Sequence, residues 1–342
     1  MGEDAQPQSR QRWGAGLSPW DILLRFQSYF GLLAIFVASA LLSPIRNGEN
    51  IFLDPRNLLN IVRFASENGI IAIGMTLVIL TGGIDLSVGA VLALCAVGTA
   101  TSLMTYELGI PLTILLTLAM GGAVGFLNGV ISTKLRIQSF ITTLAMLSAA
   151  RGVASLWDDG YAIPLAFGEG EGLAPPNFDR IFAGNTAVFD LNVPNQIFYF
   201  VGVWLVAGFI LRRTGFGRHI YAVGGNEQAS RLSGVNVDRV KIAVFAITGL
   251  LVGLAALLHA ALVDQGSHID GSGYELNAIA AVVIGGTSLA GGVGGVTGTV
   301  IGALILQILD NILGLRNVQS EYQLILKGVI IVIAVVLQRQ RR

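Results

Sequence analysis

The chain has 342 residues, of which 53% are hydrophobic and only 12% are charged, and its formal net charge at pH 7 is zero. Soluble domains carry about 25% charged residues, so this composition excludes an ordinary soluble protein and indicates an integral membrane protein. The zero total gives no reason to expect nucleic acid as a partner, because phosphate binding needs a basic face, and the distribution of the charge is more informative than its sum. The single cysteine, Cys95, and the three scattered histidines, His219, His259 and His268, predict neither a disulfide framework nor a metal site.

The apolar segments have the length of membrane spans, about 17 to 25 residues. They follow a polar stretch at residues 1–25, which we expect to be a cytosolic tail, and residues 26–342 are predicted to form a single all-α transmembrane domain. A small-residue pattern at Ala38–Ala40 resembles a signal-peptidase site, but apolar residues continue beyond it, so we expect this segment to be retained. The ten predicted spans lie near residues 28–45, 64–81, 86–104, 111–133, 139–157, 196–211, 242–263, 276–290, 295–314 and 322–338.

Lysine and arginine predict the orientation of the spans, because these residues are retained in the cytoplasmic connections. With the N-terminus in the cytosol, the inner segments hold fourteen of these residues and the outer segments hold five. This asymmetry supports an even number of spans and cytosolic N- and C-termini. It places the polar segment 212–241 inside the cell and the long, proline-containing loop 158–195 outside, where a loop of that length is more often functional than idle.

Glycine recurs at every fourth position in three of the predicted spans, which puts the glycines of each span on one helix face. Such small faces let helix backbones approach closely in lipid. We therefore expect tight helix packing at these positions rather than ligand binding. The glycines are Gly121, Gly125 and Gly129 in the fourth span, Gly249 and Gly253 in the seventh, and Gly294, Gly298 and Gly302 in the ninth.

Two similar glycine-rich segments follow apolar runs, TGGIDLSVGA at 81–90 and IGGTSLAGGVGG at 284–295. Their likeness is too short to establish an internal repeat. In the first segment, Asp85 stands at the start of the third predicted span, where its carboxylate can accept the amides of Ser87 or Val88. We expect a structural cap. The alternative is an ion-coupling role, because acids at membrane depth are costly and often functional.

Neutral polar side chains within the spans could hydrogen-bond an uncharged, polyhydroxylated solute in transit. They could equally bond one another and hold the helices together, and for any single residue this structural role has the greater weight. Ionisable residues are few and lie mostly near span ends, which does not favour a proton- or sodium-coupled carrier. The candidate path residues are Asn68, Thr76, Asn128, Thr142, Asn277 and Asn311.

The polar, basic segment 212–241 is predicted to contain one short helix. Asn226 is a good N-cap, and Gly234 suits the position just after the helix end. Glu227 and Arg231 stand four residues apart, in the order that stabilises a helix.

One face of this short helix is apolar, since Ala229 and Leu232 point the same way. A helix of this kind could seat in a groove of a cytosolic protein. It could equally lie at the membrane surface without a partner, and its residues alone favour neither interpretation.

No phosphate-binding loop is present, because GGVGGVTG lacks the lysine that completes that motif. No catalytic motif of a hydrolase or metalloprotease occurs either. The motifs therefore give no support for ATP binding by this chain or for an enzyme, and we expect the chain to bind no cofactor and to act without catalysis of its own.

Three long segments, in the same order, resemble the permease subunit of bacterial ribose-type monosaccharide ABC importers. They read GMTLVILTGGIDLSVGAVLAL at 74–94, GRHIYAVGGNEQASRLSGVNVDRVKI at 217–242 and GYELNAIAAVVIGGTSLAGGVGGVTGTVIGALIL at 273–306. The resemblance runs from about residue 40 to the C-terminus, although the first 20 residues and the loop 158–195 do not carry it.

This resemblance implies an inner-membrane homodimer, in contact with lipid, that forms the path for a ribose-like aldose or related polyol. Two ATP-binding cassette ATPase subunits would use ATP and Mg, and a periplasmic sugar-binding protein would deliver the solute. The other hypothesis is an ion-coupled secondary sugar transporter that uses Asp85 or Glu67. By the resemblance, the helix that couples the permease to its ATPase comprises Gly225, Asn226, Glu227, Ala229, Arg231, Leu232, Ser233 and Gly234.

Overall fold

The computed structural model describes residues 27–168, 173–189 and 191–339. The predicted N-terminal tail, 1–25, lies outside the described residues. The described chain is mostly helical, as the composition indicates. Its helices are α1 (Gln27–Leu42), α2 (Pro55–Leu80), α3 (Val88–Met104), α4 (Ile110–Lys134), α5 (Ser139–Trp157), α6 (Pro176–Phe182), α7 (Asn195–Arg213), α8 (Gly215–Gly225), α9 (Glu227–Leu232), α10 (Val237–Val263), α11 (Tyr274–Ile284), α12 (Val296–Leu315) and α13 (Ser320–Arg339).

Each of the ten predicted spans overlaps one of these helices. Within the described residues, six helices are long and apolar enough to cross a membrane, namely α2, α4, α5, α7, α10 and α12. The helices α1, α3 and α11 are apolar but shorter. The short helix α3 is buried along nearly its whole length, because neighbouring helices enclose it.

Three antiparallel two-stranded ribbons depart from the all-α prediction. All three lie in connections that were predicted to be on the outer side. In these connections the strand pairing provides hydrogen-bond partners for backbone N–H and C=O groups that lie outside the helices. The pairs are β1 (Ile45–Arg46) with β2 (Glu49–Asn50), β3 (Ile163–Pro164) with β6 (Gln265–Gly266), and β4 (Asn185–Val188) with β5 (Leu191–Pro194).

Two span boundaries differ from the prediction for local reasons. Helix α2 begins nine residues before the predicted start of its span, because Asp54 accepts the Arg56 N–H over 2.7 Å and Pro55 occupies the first helical position. Helix α11 ends at Ile284 rather than near 290, since Gly286 has a φ of +90° and turns the chain out of the helix.

The long connection 158–195, which was predicted to be an outer surface loop, contains regular secondary structure in its described part. It contains α6, β4 and β5, and α6 inserts Phe178 and Phe182 into the protein interior. Phe178 packs against Phe167 with ring centroids 6.3 Å apart, and Phe182 against Tyr199 at 5.7 Å. This aromatic group fixes the loop on the end of α7.

Helix α10 forms the centre of the fold and packs along α4 as well as against α2 and α3. A β-carbon on Gly121 would overlap the carbonyl oxygen of Gly249, and a β-carbon on Gly249 would overlap that of Gly121. Gly125 is equally close to the carbonyl oxygen of Phe245. The predicted tight packing of glycine faces is therefore confirmed for α4 and α10.

A second pair of helices, α11 and α12, meets in the same way. Gly298 lies against the backbone of Gly285, and Gly302 lies against the backbone of Ala281. Gly294, which the sequence placed on this face, lies instead in the connection before α12 and has a φ of +132°.

Candidate functional site

The short helix α9 has the predicted local structure. The Asn226 side chain accepts the Ala229 N–H over 2.9 Å and caps the first turn. At the other end, Gly234 has a φ of +85° and the Val235 N–H returns to the Ser230 carbonyl over 3.0 Å. This is the Schellman arrangement that a glycine after a helix permits.

Five charged side chains link α9 to the start of α10, and the start of α10 to the end of α4. Glu227 contacts Arg231 at 2.9 Å and Lys241 at 2.6 Å, and Asp238 contacts Arg231 at 2.9 Å and Lys134 at 3.1 Å. The hydrogen bond from Lys241, with a smaller contribution from Arg231, lowers the pKa of Glu227 below its ordinary value. The carboxylate therefore stays ionised under mildly acidic conditions. Of these contacts, the sequence predicted only the pair within α9.

The apolar strip on α9 is exposed. Leu232 is 91% exposed and Ala229 is exposed beside it. Next to the helix lies a cavity of about 720 Å³, which Arg136, Lys241 and the glycines after α2 help to line. Because ion pairs hold α9 in place, its exposed leucine can be buried against a partner without rearrangement of the fold.

A second helix, α8, precedes α9 and was not predicted. Thr214 caps it by accepting the Gly217 N–H over 3.1 Å, and Ile220 and Val223 are buried on its inner face. The local signal was the threonine followed by an apolar pattern of helical spacing. Helix α8 runs directly into Asn226, the cap of α9.

Asp85 lies in the break between α2 and α3, where it accepts the Ser87 N–H over 2.9 Å and the Ser87 hydroxyl over 2.6 Å. The Asn128 amide in turn donates to Ser87 Oγ over 2.9 Å, which ties the break to α4. The predicted hydrogen bond from the Ser87 amide to Asp85 is present, although the residue directly before the helix is Ser87. Asp85 stabilises the turn before the helix.

Three of the candidate path residues bond other helices. The Thr76 hydroxyl lies 2.6 Å from that of Thr299 and joins α2 to α12. Asn311 exchanges two hydrogen bonds with Asn57 of α2, over 2.8 and 3.1 Å. Asn128 bonds the break before α3, as described above.

The other three candidates have fewer contacts. The Asn68 amide reaches the Tyr274 carbonyl at 3.5 Å, and Asn277 lies one turn further along α11. Both side chains are partly exposed. The hydroxyl of Thr142 is buried and has no hydrogen-bond partner among the described residues. The structure therefore brings Asn68 and Asn277 to one region and leaves the other candidates elsewhere.

Replacing Thr76 with valine separates the two roles of this residue. If it joins helices, Thr76→Val and Thr299→Val will each lower the stability of the purified protein by about 0.6–1.5 kcal/mol, and the double variant by no more than either single one. Thermal unfolding in detergent measures this. A lowered apparent affinity for the transported solute with unchanged stability would instead assign Thr76 to the path.

A buried ionisable cluster was not predicted. Glu67 Oε1 lies 2.7 Å from His259 Nδ1, and His259 Nε2 lies 3.5 Å from an oxygen of Asp270. Arg151 donates to the carbonyl oxygens of Asp270, at 2.7 Å, and His268. The cluster joins α2, α5, α10 and the connection after α10. No group of three potential ligands among the described residues has the arrangement of a metal site.

Comparison with known proteins shows the family of this chain. A family model described as "Branched-chain amino acid transport system / permease component" matches residues 57–335. The chain is 43% identical over 320 residues to the ribose import permease of Escherichia coli K12, covering 94% of this chain and 95% of that protein. The chain belongs to the ribose-type ABC importer permeases. It is a transport subunit of the bacterial inner membrane rather than an enzyme.

Other relatives support the same membership. The permease is 39% identical over 324 residues to the ribose import permease of Bacillus subtilis 168, covering 94% of each chain. It is 35% identical over 363 residues to the xylose transport permease of Haemophilus influenzae Rd, covering 91% of this chain and 96% of the other. A solved metal-chelate type ABC transporter in an inward-facing conformation has a similar fold, with a TM-score of 0.52 and 16% identity over 92% of this chain and 99% of that one.

The ion-coupled alternative is not favoured within this family. The two acids on which it depended both have structural partners, Ser87 for Asp85 and His259 for Glu67. Their burial therefore has an explanation that needs no ion gradient.

Proposed function

We propose that this permease forms the path by which an ABC importer moves a ribose-like aldose or related polyol into the cytosol. The main observation in support is the 43% identity to a ribose import permease over nearly the whole chain. Relatives for xylose point to the same chemistry, an uncharged polyhydroxylated solute. The neutral amides of Asn68 and Asn277, both partly exposed, fit that chemistry.

The proposed assembly contains two copies of the permease, two ATP-binding cassette subunits and a periplasmic sugar-binding protein. ATP and Mg are used by the ATPase, and this chain binds neither. The segment Gly225–Gly234 seats in the ATPase. The exposed Leu232, and the ion pairs that link α9 to α10 and α10 to α4, support this role.

The proposed topology has ten spans, α1 to α5, α7 and α10 to α13, with both termini in the cytosol. The asymmetry of lysine and arginine supports it. Burial of α3 along nearly its whole length explains how a helix of only 17 residues can be one of the spans, since it meets protein rather than lipid. In this topology α9 is cytosolic, and α6 with its ribbon β4–β5 lies outside.

The proposed mechanism is alternating access. The loaded binding protein docks outside, and nucleotide-driven closure of the ATPases moves the two permeases as rigid bodies around the path. Weak, hydrogen-bonding contacts suit such a path, because tight binding would slow release. Asn68, Thr76, Asn128, Thr142, Asn277 and Asn311 are the candidates, of which Asn68 and Asn277 keep the most freedom to meet a solute.

Calorimetry on the binding protein that co-purifies with this permease tests the substrate class. We expect one aldose or polyol to bind with at least about a hundredfold preference over branched-chain amino acids, a difference of about 2.7 kcal/mol. The same sugar is expected to compete for uptake by the complete importer. Selective binding of a branched-chain amino acid would contradict the proposed sugar and favour the class in the family description.

A further inference from the structure

Glycines from three pairs, far apart in the sequence, approach one another backbone to backbone immediately before α9. The pairs are Gly82–Gly83 after α2, of which Gly82 makes the approach, Gly224–Gly225 at the end of α8, and Gly291–Gly292 in the break between α11 and α12. The Gly292 N–H donates to the Leu80 carbonyl over 3.0 Å, so the two breaks are bonded to each other. Gly224, near the end of α8, lies directly against this hydrogen bond.

Gly224 and Gly292 leave no room for a side chain. A β-carbon on Gly224 would overlap the Leu80 carbonyl oxygen and lie 2.5 Å from the Gly292 nitrogen. A β-carbon on Gly292 would lie 2.8 Å from the Gly225 nitrogen. Gly291 and Gly292 also have φ values of +88° and +72°, which favour glycine. A contact made by backbone alone has no rotamers that could absorb a displacement.

A second contact links α8 to the same break. The Tyr221 hydroxyl, one turn before Gly224, donates to the Gly294 carbonyl over 2.9 Å. Along the chain, Gly225 is the last residue of α8, Asn226 is the cap of α9, and Glu227 is the first residue of α9. No linker separates the two helices, so a movement of α9 reaches α8 directly.

We propose that Gly224, the Leu80 carbonyl and Gly292 form a joint that passes movement of α9 to the breaks before α3 and α12. One break connects α2 to α3 and the other connects α11 to α12, so the joint acts on four membrane helices at once. The proposal rests on the proposed function, because the ATPase is what displaces α9. Energetic coupling of this kind is carried by rigid elements in contiguous contact.

Alanine at Gly224 tests the joint, with alanine at Gly202 in α7 as the matched control. A β-carbon at Gly202 has no neighbour within 4 Å among the described residues, and Gly202 lies outside both α9 and the joint. Each variant is reconstituted as the complete complex with ATPase and loaded binding protein. We expect Gly224→Ala to bind the ATPase as the wild type does. Its sugar uptake falls about tenfold or more, and the loaded binding protein no longer stimulates hydrolysis.

The Gly202→Ala complex is expected to transport within about twofold of the wild type, since a change below 0.5 kcal/mol is usual away from packed sites. Uptake by Gly224→Ala at the wild-type rate would overturn the joint. Loss of ATPase binding in that variant would overturn it too, because Gly224 would then act on docking itself.

Hydrogen exchange on the wild-type complex keeps the proposal testable if Gly224→Ala does not accumulate. The Gly292 amide is expected to remain protected both without nucleotide and with a non-hydrolysable ATP analogue, because the joint moves as one unit. Fast exchange in either state would overturn it. Failure of the proposed function is distinct, since the wild-type complex would then show no ATP-driven sugar uptake at all.

Discussion

Replacement of Leu232 by aspartate is expected to abolish sugar uptake while the permease remains in the membrane. Leu232 is 91% exposed, so the substitution removes little packing from the permease itself. In the proposed assembly the ATPase buries this leucine, and we expect a buried carboxylate there to lack a partner. A central interface residue of this kind contributes about 2 kcal/mol or more, which corresponds to about a thirtyfold loss of affinity.

Co-purification of the ATPase and uptake in reconstituted vesicles measure the effect. Leu232→Met is the control, because it keeps an apolar side chain of similar volume and is expected to transport normally. Reversing the charges of Glu227 and Arg231 together with Leu232→Asp is also expected to abolish transport. That triple variant disturbs the ion pairs to Lys241 and Asp238 as well, so the single variant separates docking from local folding. Full uptake in both would contradict docking through α9.

Alanine at Gly121 is expected to destabilise the permease, although it adds only one methyl group. The new β-carbon overlaps the Gly249 carbonyl oxygen of α10, and neither backbone can move without separating the central pair of helices. Overpacking of this kind costs about 1–3 kcal/mol. Gly249→Ala should have a similar effect from the opposite side. The double variant is expected to accumulate poorly in the membrane.

The matched control for these variants is Gly202→Ala in α7. A β-carbon at Gly202 has no neighbour within 4 Å among the described residues, and alanine favours a helix over glycine by about 1 kcal/mol. Membrane abundance and the midpoint of thermal unfolding in detergent are the measurements. A Gly121→Ala protein as stable as Gly202→Ala would show that α4 and α10 do not depend on backbone contact.

Local patterns in the sequence predicted the features that depend on neighbouring residues. Asn226 and Gly234 bound α9 because a cap and a left-handed glycine act within one or two turns. The glycine faces of α4 and α10 follow from spacing alone. Pro55 also indicates the start of a helix. Hydropathy does not show this start, because α2 begins with polar residues.

The sequence patterns did not predict contacts between segments that are far apart in the chain. Glu67 and His259 are 192 residues apart, and nothing local indicates that α2 and α10 place them at the same depth. Lys134 reaches Asp238 across 104 residues, which extends the predicted pair of Glu227 and Arg231 into a network. Partners of this kind follow from helix packing, which a single sequence leaves undetermined.

Uptake of labelled sugar in vesicles that hold the purified permease, its ATPase and its binding protein tests the central claim most directly. We expect uptake to require ATP and the binding protein, and to persist when an uncoupler collapses the ion gradients. Uptake that continues without ATP and disappears with the uncoupler would contradict the account and assign the permease to the ion-coupled carriers.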